Sequence, residues 1–138
     1  MALAGQAAPG HPALPSLEIR KLRAKLILEE ALEAINALGF NVIASVSPVG
    51  TSQDQLSLVE HGLGPDLVGI ADGCADVSVV TIGTLSACGI GDEALLKLVD
   101  ENNLAKFGPG GHRREDGKWV KPPGHQPPDI KKLLEAQS

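Results

Sequence analysis

The segment 67–88 most constrains what this chain can fold into, because it is strongly apolar and yet carries two aspartates, Asp72 and Asp76. Pro65–Asp66 precedes the segment and Gly89 follows it, and these are start and stop signals for a helix. On a helix with about 100° per residue, positions i and i+4 lie on one face. Aspartate is a poor helix former and is costly to bury without compensation. The pair therefore indicates a site at which something compensates negative charge.

A second acidic cluster lies on the predicted first helix, which spans residues 17–38, contains no Gly or Pro and is followed by Gly39. The cluster reads EEALE and consists of Glu29, Glu30 and Glu33. At about 100° per residue, Glu30 lies about 60° from Glu33 and Glu29 about 40° from it, so all three can face one small volume. The alternative is a solvated acidic face with basic partners one turn earlier.

Two helices that present carboxylates to each other repel, and hard divalent cations held by oxygen atoms relieve that repulsion. We therefore predict a site for Mg²⁺ or Mn²⁺ whose ligands are Glu30, Glu33, Asp76 and, as the fourth, Asp72. Glu29 is then a carboxylate left partly free of metal, and we predict that it accepts a proton from an attacking water. The chain has no Glu-x-x-His pair and no Cys/His ligand spacing, which argues against di-iron and zinc sites.

A third group of residues is polar or basic and follows later in the chain. Asn103 and Lys106 share one face of a predicted helix, and Lys118, Trp119 and Lys121 follow in the tail. Each alone is typical of a solvated surface, but beside an acidic metal site these groups suit a polyphosphate. We predict that the amide and the three lysines contact phosphates and that the Trp119 ring stacks on a base.

These motifs, in this order and at this spacing, resemble the all-α nucleotide pyrophosphohydrolase superfamily, the MazG-like group. That family has EExxE on one helix, an acidic pair on the next, and Asn-x-x-Lys followed by a DGK segment. The chain reads EEALE, then Asp72 and Asp76, then residues 103–106 and 116–118, and the resemblance covers about residues 15–134. It implies hydrolysis of a nucleoside triphosphate to the monophosphate and pyrophosphate, by metal-assisted attack of water on the α-phosphorus.

Two departures from the family pattern matter. Many relatives read Glu-x-x-Asp in the second helix, whereas Gly69 and Gly73 occupy the positions of that glutamate here. Either Asp72 serves instead, or one metal is held more weakly. The N-terminal helix of some relatives is also reduced to a Pro-rich arm. The tail over residues 102–130 resembles phage-encoded members, among which the MazZ-type enzymes act on dGTP or GTP.

The domain organisation follows from the distribution of Pro and Gly. Residues 1–15 contain three prolines and predict a flexible or extended arm, and residues 16–138 predict a single all-α domain. Ser16 is the expected N-cap of the first helix. The remaining predicted elements are an extended or hairpin segment at 40–49, a loop that leaves room for one helical turn at 50–64, a helix capped by Asp92 that ends near Lys106, a Pro/Gly-rich loop at 107–128, and a terminal helix from Pro128–Asp129 to about Glu135.

Composition restricts the partners and the compartment. The net charge is −5, which argues against nucleic acid binding by bulk electrostatics. No uninterrupted apolar run reaches the roughly 18 residues of a membrane span. Cys74 and Cys88, if on one helix, are about 21 Å apart and cannot pair, so no disulfide framework is expected. We therefore expect a cytoplasmic protein, in the host cytoplasm if it is phage-encoded, with no membrane partner.

Oligomerisation is expected because one chain offers about three substantial helices, apolar on more than one face, and only three aromatic residues. We predict a helical bundle completed in a homodimer or tetramer. The 107–128 segment with Trp119 would then cover either a neighbouring acidic site or its own protomer. Two other functions stay open: a non-catalytic nucleotide-binding or scaffold protein that retains the fold, and a structural bundle with solvated carboxylates.

Overall fold

The computed structural model describes residues 8–138, and the chain forms two compact units. One unit is residues 15–84, and the other joins residues 85–138 to the chain before Pro15. About half of the chain is helical, with two small two-stranded sheets, so the fold is mostly helical. The first seven residues of the predicted arm lie outside the described residues. The single domain over residues 16–138 stays a prediction.

Helix α1 (Leu17–Ala37) confirms the first predicted helix. The Ser16 hydroxyl accepts a hydrogen bond from the Ile19 amide at 3.3 Å, as expected of an N-cap. Gly39 follows the helix with a φ of 103°, a left-handed conformation that glycine adopts without a steric penalty. Local signals alone therefore define both ends of α1.

The segment after α1 is a β-hairpin, of which the sequence indicated only the first strand. Strand β1 (Phe40–Ala44) pairs antiparallel with β2 (Leu56–Glu60), with Val42 opposite Leu58, and a short 3₁₀ turn at Gln53–Gln55 precedes β2. The expectation of a loop over residues 50–64 was wrong for β2. Its residues alternate too weakly to predict a strand, and pairing with β1 stabilises it.

Helix α2 (Leu67–Ala87) confirms the second predicted helix and runs antiparallel to α1. A Cβ built on Gly73 would lie 2.9 Å from Cα of Ala34, and one built on Gly69 would lie 3.2 Å from Cβ of Ala37. Because real Cβ atoms essentially never come within 3.0 Å of another heavy atom, Gly73 is required for the two backbones to come this near. A Cβ at Gly69 would be crowded and would need Ala37 to move by a few tenths of an ångström. The absence of glutamate at these two positions thus has a packing reason.

Helix α3 (Asp92–Ala105) belongs to the other unit, and its bounds agree with the predicted third helix. The expectation that Asp92 is its N-cap was wrong. Gly91 occupies that position, and α3 has no side-chain cap among the described residues. The Gln137 side chain bonds Gly91 itself, with Oε1 accepting from the Gly91 amide at 2.9 Å, so a residue distant in sequence satisfies one backbone group at the start of α3.

The remaining elements of this unit are a small hairpin inside the predicted Pro/Gly-rich loop and the predicted terminal helix. Strands β3 (His112–Arg113) and β4 (Trp119–Val120) form a small antiparallel hairpin within the Pro/Gly-rich segment. Helix α4 (Ile130–Ala136) begins after Asp129, whose carboxylate accepts from the Lys132 amide at 3.0 Å. The arm contacts the turn that follows α2, where the Ala13 amide donates to the Cys88 carbonyl at 2.8 Å.

Large apolar side chains of α2 are exposed in the single chain. Leu67 is 81% exposed, Val68 79% and Val79 68%. Within the described residues, α2 is the one helix long and apolar enough, by length and composition, to cross a membrane. Asp72 and Asp76 interrupt it, and an apolar helix of this kind is equally typical of one that an assembly covers.

Candidate functional site

The five acidic residues predicted to form the site all belong to the unit 15–84 and lie on its two antiparallel helices. Glu30 of α1 and Asp76 of α2 are half-buried, whereas the other three side chains are exposed. Because α1 and α2 run antiparallel with Ala34 beside Gly73, the turn before Ala34 faces the turn after Gly73. The two acidic clusters therefore lie at the same height along the axes of the paired helices.

Glu30 is the carboxylate whose surroundings are most unusual. Its Oε2 atom is buried, and no hydrogen-bond donor among the described residues reaches it. Burial, and after it the surrounding negative charges, raise the pKa of Glu30 above its ordinary value. The charges that act in this direction belong, from the largest effect to the smallest, to Glu33, Asp76, Glu29 and Asp72. The charges that act on Glu30 therefore come from both helices.

The donor chemistry of this cluster fits a hard divalent cation, since every predicted ligand is a carboxylate and one buried oxygen lacks a partner. In the arrangement described for residues 8–138, however, no three His, Cys, Asp or Glu side chains converge closely enough to hold a metal ion. Glu29, Glu33 and Asp72 are exposed, so their side chains have room to change rotamer. The assignment of Glu30, Glu33, Asp72 and Asp76 as ligands stays a prediction.

A pocket of about 580 Å³ lies beside the cluster, within the range of small-molecule sites. Glu33 of α1 and Asp72 of α2 contribute to one part of its lining. The other lining residues come from the end of α1, the loop before α2 and the first turns of α2, and they include Asn36, His61 and Asp66. Two predicted metal ligands thus lie at the edge of a cavity that also offers polar side chains.

The sequence analysis did not identify Asn36, His61 or Asp66 as site residues. His61 fixes the loop: its Nδ1 accepts from the Leu63 amide at 3.1 Å, so the proton is on Nε2, which donates to the Asn36 carbonyl at 2.8 Å. Asp66 caps α2, with Oδ1 accepting from the Val68 amide at 3.1 Å. The N-cap rule applied to Pro65–Asp66 would have found Asp66, but no local signal indicates the other two.

The predicted phosphate-binding residues all belong to the other unit. The Lys106 ammonium donates to Oδ1 of Asn103 at 2.7 Å, so these two residues are brought together. Trp119 donates from its indole nitrogen to the Lys106 carbonyl and packs against Phe107, with ring centroids 5.0 Å apart. The indole ring is therefore engaged by residues next to it in the chain, and which acidic site the 107–128 segment covers stays a prediction.

The DGK turn is held by its own ion pair. Arg114 and Asp116 form a close salt bridge, and Oδ1 of Asp116 also accepts from the Lys118 amide at 3.1 Å. The hydrogen bond from Arg114 and that from the Lys118 amide lower the pKa of Asp116. Lys118 and Lys121 have exposed side chains on either side of β4. Their contact with phosphate stays a prediction.

Comparison of the chain with protein-family models finds no matching family, and comparison with curated proteins finds no match.

Proposed function

We propose that this protein is a metal-dependent nucleoside triphosphate pyrophosphohydrolase, with dGTP or GTP as the substrates to test first. The observation that carries the proposal is the Glu30 environment. One buried carboxylate oxygen has no hydrogen-bond partner within the described part of the chain, and four further carboxylates surround it on two helices that pack closely at Gly73. Such an arrangement is costly without a compensating cation. The resemblance to the MazG-like family supplies the reaction and the preferred nucleotide.

Glu30, Glu33, Asp72 and Asp76 would hold Mg²⁺ or Mn²⁺. When bound, the ion would neutralise the triphosphate and lower the pKa of a water molecule. Glu29, the exposed member of EEALE, would accept the proton of the attacking water. The water oxygen bonds to the α-phosphorus as the bridge to the β-phosphorus breaks, and pyrophosphate leaves.

Asn103, Lys106, Lys118 and Lys121 would contact the phosphates. Because the substrate is a polyanion, ammonium and amide donors oppose its charge with charge-assisted hydrogen bonds. Trp119 is proposed to border the base. Its engagement with Phe107 orders the hairpin that carries Lys118 and Lys121.

We further propose an all-α MazG-like bundle completed by a homodimer or tetramer in the cytoplasm. The exposed apolar side chains of α2, Leu67, Val68 and Val79 among them, support association, because a helix with several large apolar side chains in water gains by having them covered. Light scattering at low micromolar concentration is expected to give at least twice the chain mass of 14.3 kDa. A folded and active monomer would contradict this part of the proposal.

The central test is a panel of nucleoside triphosphates with Mg²⁺ or Mn²⁺ and identification of the products. We expect monophosphate and pyrophosphate, loss of turnover in Glu33→Gln, and wild-type turnover in the matched control Glu18→Gln, an exposed glutamate of the same helix. Glycine at positions 69 and 73, where many relatives carry a glutamate, instead favours a non-catalytic nucleotide-binding or scaffold protein. Nucleotide binding without turnover of any triphosphate would establish that alternative.

A further inference from the structure

We propose that Asp66 determines base selectivity by accepting hydrogen bonds from the pairing edge of the base in the 580 Å³ pocket. The inference rests on the proposed function and deepens it, since it assigns the base end of the same site to a residue that none of the sequence motifs contains. Glu33 and Asp72 line the same pocket and would mark its phosphate end.

Gly69 is what gives the Asp66 carboxylate its position. A Cβ built on Gly69 would lie 2.7 Å from Oδ2 of Asp66 and 3.2 Å from its Cγ, so any larger residue would displace the carboxylate. Oδ1 is engaged with the Val68 amide, whereas Oδ2 lies over the glycine. The cap thus fixes one oxygen and leaves the other available to a ligand.

Asn36 adds a second acceptor to the pocket. Its Nδ2 donates to Oδ1 of Asn41 at 3.2 Å, which fixes the orientation of the amide and leaves the Asn36 amide oxygen as an acceptor. The Nε2 proton of His61 is already used in the bond to the Asn36 carbonyl. Acceptors therefore outnumber free side-chain donors at this end of the pocket.

The length of the pocket also suits a nucleoside. Asp72 and Asp66 are six residues apart at the start of α2, which corresponds to about 9 Å along the helix axis. This separation is comparable with the distance from the 5′ oxygen of a nucleoside to the far edge of its base. A triphosphate bound near Glu33 and Asp72 would thus place its base edge near Asp66.

A carboxylate and an amide oxygen select a base edge with adjacent donors. Guanine presents N1–H beside its 2-amino group, whereas adenine and cytosine place a ring acceptor beside their single amino group, and uracil places carbonyls on both sides of N3–H. A carboxylate opposite a ring acceptor leaves both lone pairs unpaired and repelling, which is how a polar site rejects the wrong base.

The test measures kcat/KM for dGTP, dITP and dATP in the wild type and in Asp66→Asn. Asparagine retains the capping oxygen but replaces the second acceptor by a donor. We expect the wild type to prefer dGTP over dITP, which lacks the 2-amino group, and Asp66→Asn to lose about 10- to 100-fold on dGTP and most of this preference. Asp54→Asn, an exposed aspartate outside the pocket lining, should match the wild type.

Two outcomes would overturn the assignment of Asp66: turnover without a guanine preference, or a preference that Asp66→Asn retains. Absence of turnover with every triphosphate would instead refute the proposed function. In that case, the affinity for dGMP measured by calorimetry tests whether Asp66 binds the base, independently of turnover. Weaker binding to Asp66→Asn than to Asp54→Asn supports the assignment, and equal binding to both variants refutes it.

Discussion

Glu30 and Asp116 are two carboxylates with opposite surroundings. The buried oxygen of Glu30 has no hydrogen-bond donor among the described residues, and burial together with neighbouring acids raises its pKa. Asp116 is exposed, paired with Arg114 and bonded by the Lys118 amide, which lowers its pKa. The turn pairs its own charges, whereas the helix pair α1–α2 brings five acids together and leaves one buried carboxylate oxygen without a donor among the described residues.

The largest expected effect is on catalysis by Glu29. Loss of a positioned general base typically costs about 10²- to 10⁴-fold, so Glu29→Gln should lower kcat by that order while Mn²⁺ affinity changes little. Single-turnover kinetics and titration calorimetry measure the two quantities. The same kcat in wild type and variant would make Glu29 a surface residue, no more functional than Asp116.

A substitution of Lys106 tests whether the unit that contains Asp116 also takes part in the site. Lys106→Ala should lower kcat/KM by about 10- to 100-fold, and the loss should shrink at high salt because the contact is electrostatic. Lys97→Ala, an exposed lysine of the same helix, is the matched control. Wild-type kinetics in the Lys106 variant would mean that its bond to Asn103 is purely structural.

Gly73 tests whether close helix packing maintains the acidic cluster. In Gly73→Ala the new Cβ would meet Cα of Ala34 at 2.9 Å, so α1 and α2 must separate. Overpacking costs about 1–3 kcal/mol and outweighs the roughly 1 kcal/mol helix propensity of alanine, so we expect a lower free energy of unfolding. Gly10→Ala, where the Cβ meets open space, is the control, and equal urea midpoints in both variants would contradict the packing argument.

The smallest effect is the pH dependence of stability in EDTA. Because the folded-state pKa of Glu30 is raised, the folded chain holds its proton more tightly than the unfolded chain, and stability falls as the pH rises through the raised pKa. Glu30→Gln should flatten this fall. The lowered pKa of Asp116 has the opposite sign, so its contribution is lost as the pH falls, and Asp116→Asn should change the acid side slightly.

Melting temperatures recorded from about pH 4 to 8 measure both effects. A Glu30→Gln profile parallel to that of the wild type would show that the proton on Glu30 does not contribute to stability. The different surroundings of Glu30 and Asp116 would then have no measurable consequence for the stability of the fold.

Much of the fold was predictable because its signals are local. Ser16 and Gly39 delimit α1, and Asp129 begins α4, since caps and left-handed glycines act within one helical turn. Strand β2 and the hydrogen bond that holds Gly91 before α3 were not predictable. The first depends on pairing with β1, and the second on Gln137, which is 46 residues from Gly91.

The sequence by itself determined which helices carry the acids and that the members of each cluster share a face, because helical periodicity fixes these relations within one element. Only the tertiary structure decided that Gly69 and Gly73 are contact points, that one oxygen of Glu30 meets no donor from residues 8–138, and that Asp66 borders a pocket beside Glu33 and Asp72. Each of these facts depends on atoms from two elements far apart in the chain. The burial of a side chain and its hydrogen-bond partners depend on such tertiary contacts, which no local sequence pattern encodes.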